Sequence, residues 1–328
     1  MTTKFDCSET VLYLRLPNWI GDLCMCLPLL HELMRRNVRI VVCAKPWAKA
    51  LLSAYEFEGW INITGKIRED AATIRAHKKQ HQHYKTVGLI IPDSLSSALV
   101  FRLAGIPSAG YKDEGRSVIL KWAYTKPIVP MHAVEFWYNL ARQAANTWGL
   151  PFAPEPDQHL NLQLREQAYE QSNQTLAEAD LSEGGFVLIA PTAKGLHKGQ
   201  NKTWSQYAEL HDALSQQGIR VVMCPPPNEL AIAKTAAPAT EILPSLPLDA
   251  FAALCKKAGL VVCNDSGVSH LAAAVNASQL SLFGVSTTLR TRPWSSKAHT
   301  LGEVGQWPSV DAVISRSIEL VEKTKVVA

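Results

Sequence analysis

The sequence predicts an α/β protein made of two doubly wound parallel-sheet domains, and three observations predict it. Strand-like and helix-like runs take turns along the chain, the alternation is interrupted once by a proline-rich break and then restarts, and the 328 residues amount to about two domains of ~150 residues each. Strands separated by helices cannot close as hairpins. They need crossovers, and crossovers give a parallel sheet with helices on both faces.

In the first half, residues 11–16 form a short β-type run, and apolar residues at helical spacing over 23–36 predict a helix closed by Asn37. A strand at 38–43, a helix at 46–55, a strand near 60–63, a polar helix reaching to His83 and a buried strand at 86–91 follow. The break falls where Gly149, Pro151, Pro154 and Pro156 cluster, because neither a helix nor an inner strand tolerates that density of proline. After it, a polar helix at 160–176 precedes a strand at 186–190, a helix at 204–217, a strand at 219–224 and a helix at 228–236. The pattern ends with a helix at 248–257, strand 259–263, helix 268–275, strand 279–283 and a last helix from Val310 toward Lys323. The expected organisation is a first domain over 1–155, a second over 156–309 and a terminal helix over 310–328.

Composition narrows the function. Apolar residues are 47% and charged residues 19%, which excludes a largely disordered chain or a coiled coil, and a net charge of +4 is too slight to favour general nucleic-acid binding. No apolar run approaches the ~18 residues that span a bilayer, and residues 1–10 lack a basic-then-apolar signal pattern, so a cytoplasmic protein is expected. The seven cysteines are odd in number, scattered and mostly in apolar segments without a C-x-x-C pair, which predicts reduced core fillers.

Two such domains leave a cleft between the carboxyl ends of their strands, where ligands of this architecture bind, so chemistry is sought in loops that follow strands. The first is Pro17-Asn18-Trp19-Ile20-Gly21-Asp22, in which Gly21 can take a backbone geometry closed to other residues. Asp22 then stands at the start of a helix, either as its N-cap or as a carboxylate facing the cleft, and capping would make it a poorer base. The second loop, 191–204, carries Thr192, Lys194, Gly195, His197, Lys198, Gly199 and Lys202. Glycines, a hydroxyl and cations beside a helix N-terminus suit a phosphate, although the order of a Walker loop is absent and a solvated flexible loop is the plain alternative.

The third loop is Asn264-Asp265-Ser266-Gly267-Val268-Ser269-His270. The amides of Ser266, Gly267 and Val268 can cradle an anion, while Asp265 can accept from sugar hydroxyls and should repel phosphate, so a sugar joined to a phosphate satisfies both. A simply capped helix, with His270 a core histidine bonded to backbone, is the alternative. The fourth loop, 284–293, offers hydroxyls with Arg290 and Arg292. Glu229, after the strand ending at Cys224, is placed either to hold a ribose diol or simply to sit in the first turn of a helix. His77, His81 and His83 lack the acidic or cysteine partners of a metal site, and no G-x-S-x-G elbow supports serine-hydrolase chemistry.

Pro17-Asn18-Trp19-Ile20-Gly21-Asp22, Gly199-Gln200-Asn201-Lys202-Thr203-Trp204 and the segment from Asn264 to His270 together resemble the bacterial ADP-heptose:lipopolysaccharide heptosyltransferases, glycosyltransferase family 9. Order and separation agree along nearly the whole chain, and the Pro-x-Trp-x-Gly-Asp string looks more like the second heptosyltransferase of the core pathway than the first. The resemblance implies a GT-B fold, two Rossmann-like domains facing across a cleft, with the acceptor on the first, the nucleotide-sugar on the second and a last helix crossing back to the first. It implies transfer of heptose from ADP-heptose to a lipid A-Kdo-type acceptor with inversion, without a cofactor or metal, at the cytoplasmic face of the inner membrane with peripheral membrane contact.

The resemblance also assigns roles: Asp22 as general base, Thr192 and Lys202 on the diphosphate, Glu229 on the ribose, Asp265 on the donor sugar, and the amides of Ser266 and Gly267 on the diphosphate. The chain departs from the family pattern in a slightly longer 191–204 loop, in Ser205 where proline is usual, and in Val285 and Thr288 where prolines are frequent. Arg75, Arg102, Lys112 and Arg116 are cations available to an anionic acceptor headgroup. Two other classes share the architecture. A nucleotide-sugar epimerase would convert the donor without an acceptor, and a non-catalytic nucleotide-sugar binder would consume nothing.

Overall fold

The computed structural model describes residues 5–113, 115–197 and 199–327. The chain forms two compact units, one of residues up to 157 apart from 50–54, the other of residues from 158 onward together with 50–54.

In the first unit β1 (Thr10–Arg15) leads to α1 (Ile20–Met25), α2 (Leu27–Arg35), β2 (Arg39–Ala44), α3 (Trp47–Leu51) and β3 (Gly59–Asn62). Then come α4 (Ile67–Gln80), β4 (Lys85–Ile90), α5 (Leu95–Leu103), β5 (Ser108–Tyr111), β6 (Trp122–Tyr124) and α6 (Ala133–Trp148). All six strands are parallel in the order β3-β2-β1-β4-β5-β6. Central β1 is buried at every position, which explains the unbroken apolar run from Val11 to Leu14. The single helix expected over 23–36 is instead two. Pro28 in the first turn of α2 has no amide hydrogen to continue the ladder from α1, so the chain breaks at Cys26.

The core of this unit packs Val11, Tyr13, Val41, Cys43 and Ile90 against Phe101 and Ile74. Gly88 in β4 is required by that packing, since a Cβ there would lie 2.7 Å from the Phe101 ring and 2.9 Å from Ser108 Cβ. Gly88→Ala is therefore expected to cost about 1–3 kcal/mol through overpacking. Urea unfolding checks it, and an unchanged midpoint would mean that Phe101 yields freely.

The second unit starts with α7 (Glu166–Glu178), β7 (Phe186–Ala190), the two-residue strands β8 (Leu196–His197) and β9 (Gln200–Asn201), α8 (Tyr207–Gln216) and β10 (Arg220–Met223). It continues through α9 (Leu230–Ala236), β11 (Glu241–Ile242), α10 (Leu248–Lys257), β12 (Leu260–Asn264), α11 (Gly267–Ala274), β13 (Gln279–Leu282), α12 (Thr288–Thr291), β14 (Ala298–Leu301) and α13 (Val310–Val327). Its main sheet is parallel in the order β11-β10-β7-β12-β13-β14, the same winding as the first. The helix expected from residue 160 begins only at Glu166, because Asn161 is left-handed with φ 51° and the Leu162 amide is committed to the Ala274 carbonyl at 2.8 Å.

The terminal helix α13 packs on α8 and β12, with Val313, Leu320 and Val321 buried in the same core as Val262 and Leu282. Among the described residues no helix is long and apolar enough to cross a membrane. In each sheet the winding reverses beside the first strand, between β1 and β4 and between β7 and β12. Loops diverge at such a switch point and leave a crevice at the strands' carboxyl ends.

Candidate active site

The switch point of the second unit gathers residues from four separate segments. Asp265, immediately after β12, is only 4% exposed, and a buried carboxylate needs partners. Lys202 supplies one, its Nζ lying 3.1 Å from Asp265 Oδ2, and the Ser286 hydroxyl donates to the same oxygen. His270 Nε2 lies 3.9 Å from Oδ1, so this histidine faces the carboxylate at electrostatic rather than hydrogen-bonding range.

Neighbouring Asn264 is fully buried and ties the elements together. Its Oδ1 accepts from the Trp204 amide at 2.9 Å and its Nδ2 donates to the Ala190 carbonyl at 3.4 Å, which pins the end of the 191–204 loop and the end of β7 to β12. Trp204 is held in turn by Tyr207, edge-on at 5.2 Å, and by donating Nε1 to the Pro308 carbonyl at 3.0 Å. The loop between is not structureless. Strands β8 and β9 pair antiparallel, and Gly195 and Gly199 adopt φ of 83° and 81°, a geometry costly for other residues. Lys198 and the side chain of His197 lie outside the described residues.

A second cluster joins the segments that follow β7 and β10. Thr192, two residues past β7, donates its hydroxyl to Glu229 Oε2, while Lys194 Nζ sits 3.1 Å from Glu229 Oε1. Glu229 closes a 3-10 turn, Pro227–Glu229, that leads into α9, and its side chain is spent on the two loop residues rather than on capping. Ser266 is the N-cap of α11 and accepts from the Val268 amide at 3.3 Å, with Gly267 as the first helical residue. The amides at this helix start, Lys202 and Thr192 are groups able to donate to an oxyanion, and the two carboxylates are able to accept from hydroxyls.

At the switch point of the first unit, Arg15 ends β1 almost fully buried. It donates Nη2 to Asn18 Oδ1 at 2.6 Å and Nη1 to the Leu16 carbonyl, which shapes the loop that follows. Burial holds its pKa below the usual guanidinium value, opposed by Cys43 and Asp70. Trp19, not Asp22, is the N-cap of α1, and it makes no side-chain capping bond. Asp22 is the third residue of the helix and half-buried. Gly21 is an ordinary helical residue, so the special geometry expected of it is not used.

All seven cysteines are free thiols. Burial pushes Cys224 up to about 11 and Cys43 and Cys263 up to about 12, and for Cys24 and Cys26 the nearby Asp22 charge adds to burial. The six buried thiols are inert packing, and half-buried Cys7 donates to the Arg36 carbonyl at 3.3 Å. Arg116, counted among the cations for an acceptor, is fully buried and donates to the Pro92 and Ser94 carbonyls. His77 bonds Tyr13 Oη through Nδ1 at 3.0 Å and stacks on His81.

The family described as Glycosyltransferase family 9 (heptosyltransferase) matches residues 74–320. The chain belongs to that family. Lipopolysaccharide heptosyltransferase 2 of Escherichia coli K12 is 28% identical to this glycosyltransferase over 312 residues, 87% of this chain and 86% of that protein. The solved E. coli ADP-heptose lipopolysaccharide heptosyltransferase II superposes with a TM-score of 0.73 at 25% identity, covering 96% and 99% of the two chains. A family 9 glycosyl transferase from Veillonella parvula shares the fold with a TM-score of 0.79 at 14% identity, covering 98% and 99%. The GT-B architecture expected from the sequence is thus the fold of this glycosyltransferase.

Sequence reasoning placed Thr192, Lys202, Glu229, Asp265, Ser266 and Gly267 on loops of one sheet, and they do share one end of it. It overlooked what holds them there. Asn264 was legible only as part of a motif, and Ser286 only as one hydroxyl among several in a loop, because their partners are 60 and 21 residues away along the chain.

Proposed function

We propose that this glycosyltransferase transfers heptose from ADP-heptose to the inner core of lipopolysaccharide with inversion at the anomeric carbon. One observation carries the reading: in a chain of family 9, the Lys202–Asp265 pair, the Thr192–Glu229 bond and the amide-bearing start of α11 all lie at the carboxyl end of one parallel sheet, past β7, β10 and β12. The names of the relatives agree with this substrate class, and the epimerase reading has no comparable support. Action in the cytoplasm, against the inner face of the inner membrane where a lipid A-Kdo-type acceptor is held, follows from the acceptor.

In this mechanism Asp22 takes the proton of the acceptor hydroxyl as that oxygen attacks the anomeric carbon from the face opposite the diphosphate. The bond from that carbon to the diphosphate oxygen breaks, and ADP departs with the added charge. Lys202, the Thr192 hydroxyl and the amides of Ser266 and Gly267 hold that charge, and fixed donors count for more in the transition state, where the charge is larger, than in the ground state. These groups take the part that a metal ion plays in metal-dependent transferases. Glu229 accepts from the ribose hydroxyls and Asp265 from a hydroxyl of the heptose. Transfer requires base and donor to meet with water excluded, since water is a rival acceptor.

A thermal-shift comparison of ADP, UDP, GDP and CMP tests the donor assignment. ADP should raise the melting temperature most, because a ligand stabilises by its affinity for the folded state. A larger shift with UDP or GDP would point to a different nucleotide-sugar.

A further inference from the structure

Lys202 has two claimants. Within the chain its ammonium belongs to Asp265, at 3.1 Å, and under the donor reading above, on which this inference rests, a diphosphate claims the same ammonium. A diphosphate carries more negative charge than one carboxylate, so it wins the exchange, and Asp265 then loses the cation that offset its burial. Asp265 is 4% exposed and cannot turn to solvent for replacement partners. What remains on its Oδ2 is the Ser286 hydroxyl, itself only 5% exposed and donated from the loop after β13, with His270 Nε2 beyond Oδ1 at 3.9 Å.

We propose that Lys202 passes from Asp265 to the donor diphosphate on binding, and that Ser286 is the positioning residue that keeps Asp265 aimed at the sugar hydroxyl afterwards. The exchange couples the two halves of the donor. The diphosphate draws the lysine away, and Asp265 gains a sugar hydroxyl in its place. A nucleotide without a sugar takes the lysine and leaves Asp265 uncompensated, so the chain favours the whole nucleotide-sugar over the spent nucleotide, and product release is helped by the return of Lys202 to Asp265. The main-chain geometry supports a fixed carboxylate, because the Asp265 amide is bonded to the Leu282 carbonyl at 3.0 Å and Asn264 is clamped on the other side. Ser286 is therefore bonded to a group whose backbone cannot drift.

The test compares ADP and ADP-heptose on the full chain by calorimetry and initial rates. Ser286→Ala should leave ADP affinity within about twofold and raise KM for ADP-heptose about tenfold, the worth of a hydrogen bond to a charged group, with kcat little changed. Ser286→Thr, which keeps the hydroxyl, should restore the parent KM. Asp265→Asn should bind ADP about fivefold more tightly, since the lysine is no longer held, and the gain should vanish in a Lys202→Met background. An equal loss of ADP and ADP-heptose affinity in Ser286→Ala, or no gain in Asp265→Asn, overturns the exchange while leaving the donor site in place. A parent chain that binds neither ligand overturns the donor reading and the exchange together.

Discussion

Asp22→Asn is expected to lower kcat by about 10²–10⁴-fold, the usual worth of a positioned general base, with KM for ADP-heptose within about twofold of the parent. The split follows from where the residue stands. Asp22 belongs to α1 of the first unit, whereas every group proposed to hold the donor lies on the second, so its loss should not touch nucleotide affinity. Asparagine has nearly the same shape and cannot accept a proton at neutral pH, which makes the substitution a test of chemistry and not of packing. Asp22 is also not the cap of its helix, a part taken by Trp19, so the helix does not lose its terminus with the charge. Initial rates at saturating donor and acceptor measure it. Near-normal turnover would remove Asp22 from the mechanism, and a raised KM for the donor with unchanged kcat would make it a binding residue.

Lys202→Met carries the second large expectation, a fall of about 10²–10³-fold in kcat/KM, as for removal of one preorganised donor to developing negative charge. Methionine keeps the length of the aliphatic stem, so packing around the loop end changes little. The charge change reaches two places. The departing diphosphate loses its cation, and Asp265 loses its ion-pair partner, leaving Ser286 on Oδ2. Truncating one partner of a buried pair also costs stability. A melting temperature recorded alongside the kinetics separates the two, because a folded protein with lost turnover isolates the chemical effect. Lys202→Arg retains the charge with a different geometry and should recover part of the rate. Unchanged kcat/KM in Lys202→Met would assign the leaving-group charge to other groups.

The central strands were legible before the structure because burial on both faces of a parallel sheet writes an unbroken apolar run, as in β1 and β12. The edges were not. Strands β6 and β11 are only three and two residues long and half or fully exposed, too short for an alternating pattern to show. Helix α6 was unread although its terminus is well made, since its N-cap is His132, not one of the usual capping residues, completed by Glu135 in a capping box.

In the site, loops could be found because a residue just past a parallel strand sits at the ligand-binding end whatever its type. Their internal bonds could not, because each joins segments distant in sequence. Lys202 meets Asp265 and Thr192 meets Glu229 only once β7, β10, β12 and the β8–β9 hairpin are in place. Arg116 misled for the converse reason: a cation in a polar stretch reads as surface, yet here it is fully buried and bonded to backbone carbonyls.

Acceptor-dependent release of ADP from ADP-heptose by the purified chain, followed with and without a Kdo-bearing lipid A acceptor, tests glycosyl transfer most directly. The predicted result is ADP formed together with a new heptosyl linkage of inverted configuration, at a rate that collapses when the acceptor is omitted and again in Asp22→Asn. An altered sugar nucleotide recovered in the absence of acceptor, or no consumption of ADP-heptose with the acceptor present, would contradict it.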